Sequence, residues 1–202
     1  MNQQNLNALR SHLIAKSMKF GRFELSSNRV SAYYIDGKLT TFSPECMSLV
    51  GKAFLEKLTD LGLKPRAVGG LTLGADPIAY SIGRESFDAK RPILVFSVRK
   101  EAKKHGMQRR VEGVDKAQGM DVVIIDDVCT TGASTEDAIK GAQSDGMNVL
   151  AAICLVDRKA GAAELLKDRF GVALYSLFTL PELLDEAERL GLYSPEKELA
   201  HA

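Results

Sequence analysis

Residues 122–134 read Val-Val-Ile-Ile-Asp-Asp-Val-Cys-Thr-Thr-Gly-Ala-Ser, an apolar run that leads into two acids and a turn of small residues. The run is continuous rather than alternating, which is typical of a strand buried on both faces of a parallel sheet. In such sheets ligands bind beyond the carboxyl ends of the strands, and Asp126 and Asp127 fall at that end. The segment therefore predicts a buried strand with a ligand site at its end.

The turn at residues 130–134 has the properties of an anion site. Its small residues let backbone N–H groups converge at a helix start, where the helix dipole also favours negative charge. No Lys follows Gly132, so the turn is not a Walker loop, and it lacks the three spaced glycines of a dinucleotide fingerprint. Two carboxylates beside such a turn suit a sugar phosphate, whose ribose hydroxyls they can bind. The competing interpretation is a capped helix preceded by a solvated acidic turn.

Further apolar runs of strand length lie on both sides of this segment. They are residues 67–69, 92–98, 149–156 and 172–178. The segments at 134–144 and 160–170 have helical character, and helix starts are indicated by Ser43-Pro44 and by the capping-box spacing of residues 179–182. Strand and helix alternate, so we predict an α/β fold with a mostly parallel central sheet flanked by helices on both faces.

Composition and charge place residues 1–202 in a single domain. The chain has 45% hydrophobic and 26% charged residues and a formal net charge of +1, and a chain of this size buries a substantial core. Near-zero net charge argues against a dedicated nucleic-acid or membrane-surface protein.

Residues 20–40 differ from the rest, because they contain Tyr33, Tyr34 and Ile35 and few helix formers. We interpret them as a small N-terminal hood outside the main sheet.

No segment predicts a membrane span or a covalent framework. The longest apolar run, residues 149–156, is far shorter than the roughly 20 residues that a transmembrane helix needs. The N-terminus has no basic leader followed by an apolar core. The three cysteines and three histidines are scattered, which fits neither a disulfide framework nor a zinc site. We therefore expect a cytoplasmic protein that has no membrane partner.

Residues 99–110 form a basic segment, with six Lys or Arg against one Glu and a local net charge of +5. One interpretation is a solvated surface loop, which is the usual one for a run of charge. Another is a cationic loop that closes over a site and neutralises an anionic group of a ligand while it excludes water. RNA binding is a third interpretation, although the segment has no aromatic residue for base stacking.

Two more segments of interest follow predicted strands. Residues 69–77 contain four small or flexible residues that let backbone amides approach a ligand closely, with a plain strand-to-helix turn as the alternative. Arg158 follows the run at residues 149–156. Its guanidinium can pair bidentately with a ligand carboxylate, or it can form a surface ion pair with an acid such as Glu164.

Taken together, these segments resemble the type I phosphoribosyltransferases. Residues 126–134 are similar to the phosphoribosyl-pyrophosphate (PRPP) motif of that family, in the version found in orotate phosphoribosyltransferases. Residues 33–36, 69–77 and 99–106 resemble further segments of the same family, and the resemblance extends from about residue 20 to residue 178. It implies transfer of the ribose 5-phosphate of PRPP to orotate, which gives orotidine 5′-monophosphate and pyrophosphate in pyrimidine biosynthesis.

The resemblance also implies roles for single residues. The residues that it places against PRPP are Arg99, Lys100, Lys103, His105, Asp126, Asp127, Val128, Cys129, Thr130, Thr131, Gly132, Ala133 and Ser134. Lys103, Asp126 and Asp127 would be catalytic, while Thr130 and Arg158 would hold orotate. Mg²⁺ would be bound mainly through substrate oxygens. Part of residues 99–110 would reach into a second subunit's site, so the working unit would be a homodimer.

Some positions depart from the family pattern. The expected lysine is Ser26, the expected glycine is Asn28, and Leu73 gives the 69–77 loop no side-chain cation. Asn tolerates a left-handed backbone better than most residues, so the turn at position 28 can survive. Cys129 has no neighbouring His and is interpreted as a small packing residue.

Two other functions stay open. One is transfer to a purine or to uracil, against which Arg158 argues. The other is a regulator that keeps the fold as a nucleotide sensor and binds RNA or DNA without catalysis. A regulator of that kind would be recognised by a lost acid pair or a lost basic segment, and both are present in this sequence.

Overall fold

The computed structural model describes residues 2–24, 30–101 and 110–194. Within these residues the chain forms one six-stranded and one two-stranded sheet. The strands are β1 (Met18–Glu24), β2 (Val30–Ile35), β3 (Ala67–Leu71), β4 (Leu94–Val98), β5 (Val111–Glu112), β6 (Asp121–Cys129), β7 (Asn148–Asp157) and β8 (Leu174–Thr179). The larger sheet has the order β5-β4-β3-β6-β7-β8, in which only β5 runs antiparallel to its neighbour. The predicted α/β class with a mostly parallel sheet is confirmed.

Helices cover both faces of the six-stranded sheet. They are α1 (Gln3–His12), α2 (Lys38–Thr41), α3 (Pro44–Asp60), α4 (Asp76–Asp88), α5 (Ala133–Ser144), α6 (Ala162–Phe170) and α7 (Leu180–Arg189), with a π-helical turn at Leu13–Ser17. Helices α1, α3, α4 and α7 contribute to the core on one face, and α5 and α6 contribute to the core on the other. In the described part of the chain, none of these helices combines the length and the apolar character needed to span a membrane.

Strand β6 lies inside the sheet and contacts both helical layers. Val123 and Ile125 belong to the core that includes α3 and α4, whereas Val122 and Ile124 belong to the core that includes α5. Successive side chains of a strand point to opposite faces, so a strand covered on both sides is apolar at every position. This arrangement is the physical reason for the unbroken apolar run in the sequence.

The same strand continues further than the apolar run indicated. Asp126 pairs with Cys154 of β7, and Cys129 pairs with Asp157, so the acid pair lies within the strand. Both Asp126 and Asp127 are buried. The interpretation of the pair as a solvated acidic turn is therefore wrong, because the sheet holds the backbone of both residues.

The two predicted helix starts are present, with one difference in their capping. The Thr179 side chain accepts a hydrogen bond from the Glu182 N–H, and the Thr179 N–H donates to the Glu182 carboxylate at 2.8 Å, which completes a capping box for α7. Helix α3 begins at Pro44, but the side chain of Ser43 makes no capping hydrogen bond. Pro44 still favours this start, because its fixed φ suits the first turn of a helix.

The hood consists of β1 and β2, which pair in antiparallel orientation outside the main sheet. It starts at Met18, slightly earlier than the predicted residues 20–40. Met18 is buried in the core beneath it, and the ring of Phe20 lies 5.5 Å from that of Tyr193, beyond the end of α7. Helix α7 therefore packs on the domain, and Tyr193 just beyond it supports the hood.

Gly69 on β3 has no room for a side chain. An added Cβ would lie 2.0 Å from the carbonyl oxygen of Phe96 on the neighbouring β4. Because this oxygen belongs to a paired strand, it cannot move aside without disrupting the sheet. We expect Gly69→Ala to lower the free energy of unfolding by about 3 kcal/mol in urea denaturation followed by circular dichroism.

The matched control for this variant is Gly62→Ala. Nothing lies within 4 Å of a Cβ at Gly62, and only its φ of +66° opposes the change. A left-handed backbone costs an alanine about 1 kcal/mol. Equal losses for the two variants would contradict the steric explanation of Gly69.

Candidate active site

The carboxyl ends of three strands carry residues that the sequence singled out. The turn at residues 72–75 follows β3, Asp126 and Asp127 lie near the end of β6, and Arg158 follows β7. Strands β3, β6 and β7 are adjacent and parallel. Their carboxyl ends therefore meet at one edge of the sheet, where ligands of open α/β folds bind.

Asp126 is almost fully buried at this edge. One of its carboxylate oxygens accepts a hydrogen bond from the Thr135 hydroxyl at 2.7 Å, and the other accepts one from the Asp127 N–H at 3.0 Å. Burial, together with the charge of Asp127, raises the pKa of Asp126 from 3.8 to about 7. The folded state thus holds this proton more tightly than the unfolded state, so this group makes the free energy of unfolding fall as pH rises from about 4 to about 7.

Asp127 lies between two glycine turns. A Cβ at Gly37 would lie 3.2 Å from the Cβ of Asp127, and a Cβ at Gly74 would lie 2.6 Å from its Oδ1. The same Oδ1 accepts a hydrogen bond from the Val128 N–H at 2.8 Å. Only 12% of the Asp127 side chain is exposed. The close approach of two backbones therefore fixes this carboxylate, and glycine is needed on both sides of it.

A lysine reaches the acid pair from the hood side. Lys38 is the first residue of α2, and its ammonium lies 2.8 Å from Oδ1 of Asp36 and 3.7 Å from Oδ2 of Asp127. The Lys38 N–H also donates to Asp36 Oδ1 at 3.1 Å. The hydrogen bond to Asp36 is the main cause that raises the pKa of Lys38, and the charge of Asp127 contributes. This lysine is therefore a cation over the pH range in which Asp126 titrates.

The turn between β6 and α5 forms a small cavity of about 90 Å³. It is lined by Asp126, Val128, Cys129, Thr130, Thr131, Gly132, Ala133, Ser134 and Thr135. Gly132 has a φ of +86°, a conformation that favours glycine, and precedes the first residue of α5. The first N–H groups of a helix have no partner within the helix, so those of residues 133–135 are available to an anion here. The cavity is too small for a nucleotide and suits a single phosphate group.

The turn after β3 is held from within the protein by Asp76. The buried carboxylate of Asp76 accepts hydrogen bonds from the hydroxyls of Thr72 and Ser97, both at 2.6 Å. Leu73 lies on this turn and is 58% exposed. The turn therefore offers a ligand backbone groups and no cationic side chain, as the departure at Leu73 indicated.

Arg158 is half-buried and stands against the hood. Its N–H donates to the carbonyl of Cys129 at 2.9 Å, and its guanidinium carbon lies 5.9 Å from the ring centre of Tyr33 on β2. Among the ion pairs of the described residues, none joins Arg158 to Glu164. The neighbouring Asp157 instead pairs with Lys159 at 3.0 Å. The guanidinium is thus held over an aromatic ring, and no hydrogen bond or ion pair joins it to another side chain of the described residues. This arrangement favours the binding role over the surface ion pair.

The basic segment joins two antiparallel strands, β4 and β5. At its base the Arg99 N–H donates to the Arg110 carbonyl at 2.9 Å, and Arg110 makes two hydrogen bonds to the Asp137 carboxylate, at 3.0 and 2.8 Å. Arg99 approaches Glu112 at 3.6 Å, while Lys100 is exposed. Lys103 and His105 lie outside the described residues, as do Ser26 and Asn28.

Comparison with known proteins identifies the family. A family model described as the phosphoribosyl transferase domain matches residues 43–177. The orotate phosphoribosyltransferase of Aquifex aeolicus (strain VF5) is 46% identical over 162 residues, which cover 80% of this chain and 86% of the relative. The chain belongs to the orotate phosphoribosyltransferase family. The resemblance in the sequence motifs is thereby confirmed.

Solved structures of orotate phosphoribosyltransferases have the same architecture. The enzyme of Mycobacterium tuberculosis H37Rv in complex with Fe(III) dicitrate has a TM-score of 0.79 and 37% identity, covering 89% of this chain and 98% of that one. Its complex with PRPP has a TM-score of 0.74 and 32% identity over the same shares. The family thus accounts for the sheet topology as well as for the motifs.

The structure brings most of the predicted site together and adds residues that the sequence did not reveal. The acid pair, the small-residue turn and Arg158 lie along one edge of the sheet. The additions are Lys38, Gly37 and Thr135, which contact the acid pair. Thr135 could have been found as the next residue of the motif. Gly37 and Lys38 are distant in sequence, and their only indication was that they directly follow the Tyr-Tyr-Ile-Asp segment.

Proposed function

We propose that this chain transfers the ribose 5-phosphate of PRPP to orotate and releases pyrophosphate, as the other members of its family do. The observation that carries the proposal is the place of the acid pair between two turns. Asp127 lies against Gly74 of the turn at residues 72–75, and Asp126 lines the cavity of the small-residue turn after β6. Two anion-binding turns on either side of a carboxylate pair match a sugar with a phosphate at one end and a pyrophosphate at the other. A relative of this chain has been solved with PRPP bound.

In this proposal each part of the site at the carboxyl edge of the sheet has one role. The cavity at residues 130–134 holds the 5′-phosphate through the helix start of α5, and the turn at residues 72–75 holds pyrophosphate through its backbone. Asp126 and Asp127 orient the ribose hydroxyls. Positive charge develops on the ribose as the bond to pyrophosphate breaks, and the negative potential of the acid pair stabilises it. No covalent nucleophile is needed, which agrees with the burial of Cys129.

Orotate differs from uracil by a carboxylate, and Arg158 is the group proposed to recognise it. Its guanidinium lies against Tyr33, and its backbone N–H donates to Cys129 at the end of the strand that carries the acid pair. A planar guanidinium can bind a carboxylate through two parallel hydrogen bonds. Thr130, at the beginning of the small-residue turn, is proposed as the second orotate contact.

Mg²⁺ is the proposed cofactor, and the chemistry of the site fits it. The described residues hold no group of three or more His, Cys, Asp or Glu side chains that could enclose a metal ion. Mg²⁺ keeps several waters and is commonly bound through substrate phosphates rather than by an all-protein cage. We therefore propose that it binds through PRPP oxygens, where it would neutralise charge on the leaving pyrophosphate.

We further propose that the working enzyme is a cytoplasmic homodimer in which residues 99–110 serve the partner's site. Beside the turn at residues 72–75 lies an exposed groove of about 660 Å³. Its apolar lining includes Phe42, Met47, Leu73 and Tyr80, all more than two-fifths exposed. An apolar surface of this kind marks an interaction site.

The cysteines bear on the proposed cytoplasmic location. All three are buried free thiols, which fits a reducing compartment.

A shared site predicts complementation between two inactive variants. Lys103→Ala removes the proposed contribution to the partner, and Asp127→Asn removes the contribution within the subunit. A mixed dimer then contains one intact site, so an equimolar mixture that exchanges subunits should recover about a quarter of the wild-type activity. A mixture that remains as inactive as its two components would show that Lys103 acts in its own subunit.

Base selection tests the proposed reaction against its rivals. Purified protein with Mg²⁺ and PRPP is incubated with orotate, uracil, hypoxanthine or adenine, and pyrophosphate release is measured. We expect release with orotate alone. Pyrophosphate release with a different base, and none with orotate, would agree with the proposed sugar-phosphate site but overturn the role of Arg158. No pyrophosphate release with any base would support a non-catalytic regulator.

A further inference from the structure

We propose that Asp157 is a positioning residue for orotate recognition, because it closes the turn from which the side chain of Arg158 projects. This inference rests on the proposed function and deepens it. The motifs in the sequence give roles to Arg158 and to the small-residue turn after β6, and they give none to Asp157. The role follows from the contacts of a buried carboxylate at the end of β7.

The carboxylate of Asp157 closes the turn that follows β7. Its Oδ1 accepts a hydrogen bond from the Lys159 N–H at 2.7 Å, and its Oδ2 lies 3.0 Å from the Lys159 ammonium. Only 5% of the Asp157 side chain is exposed. Both oxygens thus bind the residue two positions further on, which is the arrangement of an Asx turn with Arg158 at its centre.

The backbone of Lys159 shows that contacts impose this turn. Lys159 has a φ of +55°, a left-handed conformation that is unfavourable for a residue with a side chain. Such conformations persist where the surrounding contacts over-determine them, and they are concentrated at functional sites. Here the Asp157 carboxylate supplies those contacts. It therefore holds Lys159 in this conformation and, with it, the backbone of Arg158.

The beginning of the turn is tied to the strand that carries the acid pair. Asp157 pairs with Cys129 in the sheet, and the Arg158 N–H donates to the Cys129 carbonyl at 2.9 Å. Thr130, the second proposed orotate contact, directly follows Cys129. The guanidinium carbon of Arg158 lies 5.9 Å from the ring centre of Tyr33. The turn therefore fixes Arg158 relative to both Thr130 and the hood.

The competing explanation is that Asp157 stabilises the fold and has no bearing on orotate. The Lys159 side chain is 56% exposed, and ion pairs with so exposed a partner contribute little. The two explanations differ in what loss of the turn does to the substrates. A structural role affects orotate and PRPP alike, whereas a positioning role weakens orotate binding alone and acts only while Arg158 is present.

The test is a double-mutant cycle of Asp157→Ala and Arg158→Met, with the KM for orotate and the KM for PRPP as readouts. Misplacing a binding group by about 1 Å is costly, so we expect Asp157→Ala to raise the KM for orotate about tenfold and to change the KM for PRPP little. Added to Arg158→Met, it should raise the KM for orotate no further, because it acts through the guanidinium. Asp157→Asn should restore most of the affinity, since its amide oxygen can accept from the Lys159 N–H.

Two variants of Lys159 test the same turn from its other side. Lys159→Pro leaves Asp157 intact but removes the N–H donor and cannot adopt the left-handed backbone, so it should raise the KM for orotate as Asp157→Ala does. Lys159→Gly is its matched partner, because it keeps the N–H and adopts this backbone readily, and it should raise that KM far less. Gly62→Ala, in the connection before β3, controls for stability: it should lower the melting temperature and leave both KM values unchanged.

Each outcome bears on the proposal. A rise in the KM for orotate alone that disappears in the Arg158→Met background and is reversed in Asp157→Asn supports it. Equal rises for orotate and PRPP, losses that add in the double variant, or no difference between Lys159→Pro and Lys159→Gly overturn it. Inactivity of the wild type with orotate overturns the proposed function and this role with it, whereas an active wild type with an unchanged KM in Asp157→Ala overturns this role alone.

Discussion

Asp127→Asn is expected to lower kcat by roughly 10²–10³-fold, the largest effect of any single substitution in this site. The change keeps the shape of the side chain and removes the negative charge that faces the ribose. It should leave the fold intact, because the two glycine turns that enclose Asp127 accommodate an amide of the same size. Steady-state turnover of orotate at saturating PRPP measures the effect.

The control for this variant is Asp168→Asn, which removes an exposed acid from α6. It should retain wild-type turnover. If Asp127→Asn also retained wild-type turnover, with a melting temperature equal to that of the parent, Asp127 would have no role in the reaction.

The same variant should change the pKa of Asp126. The negative charge of Asp127 raises that pKa, so Asp127→Asn should lower it. The pKa should stay above its ordinary value, because burial is the larger cause of the shift.

Arg158→Met is expected to raise the KM for orotate by roughly 100-fold, because a bidentate pair with a carboxylate is lost from a half-buried site. The methionine keeps most of the apolar stem that packs near Tyr33. Binding of PRPP should change little, since its proposed contacts lie on other turns. Initial rates over a range of orotate concentrations, with calorimetric titration of PRPP, separate the two effects.

Arg158→Lys and Arg189→Met complete this series. A lysine retains the charge and loses the planar fork, so we expect a KM between those of the wild type and Arg158→Met. Arg189 on α7 pairs with Glu186 at the surface, and its replacement should leave the KM for orotate unchanged. An unchanged KM in Arg158→Met would assign orotate recognition to another group.

The fold could be predicted from sequence because its evidence is local. The run at residues 122–125 is apolar at every position since Val123 and Val122 face different helical layers. The capping box at Thr179 is likewise a property of four consecutive residues. Burial and helix capping determine such patterns, and both depend on residues that are close together in the sequence.

The precise form of the site could not be predicted, because it depends on contacts between distant segments. The apolar run ends at Ile125, yet β6 continues to Cys129 because β7 provides hydrogen-bonding partners as far as Asp157. Polar residues in the last part of a strand resemble a turn when only the sequence is considered. Gly37 and Lys38 show the same limit, since a Gly-Lys pair has no distinguishing pattern in the sequence until the fold places it against Asp127.

The central claim is tested most directly by measuring the products of the wild-type enzyme and of Asp127→Asn side by side. Each protein is mixed with Mg²⁺, PRPP and orotate, the fall in orotate absorbance is recorded, and the mixture is separated by chromatography. The proposal predicts that the wild type forms one orotidine 5′-monophosphate and one pyrophosphate for each orotate consumed, and that the variant forms almost none. Consumption of PRPP without formation of the nucleotide, or equal product from both proteins, would contradict it.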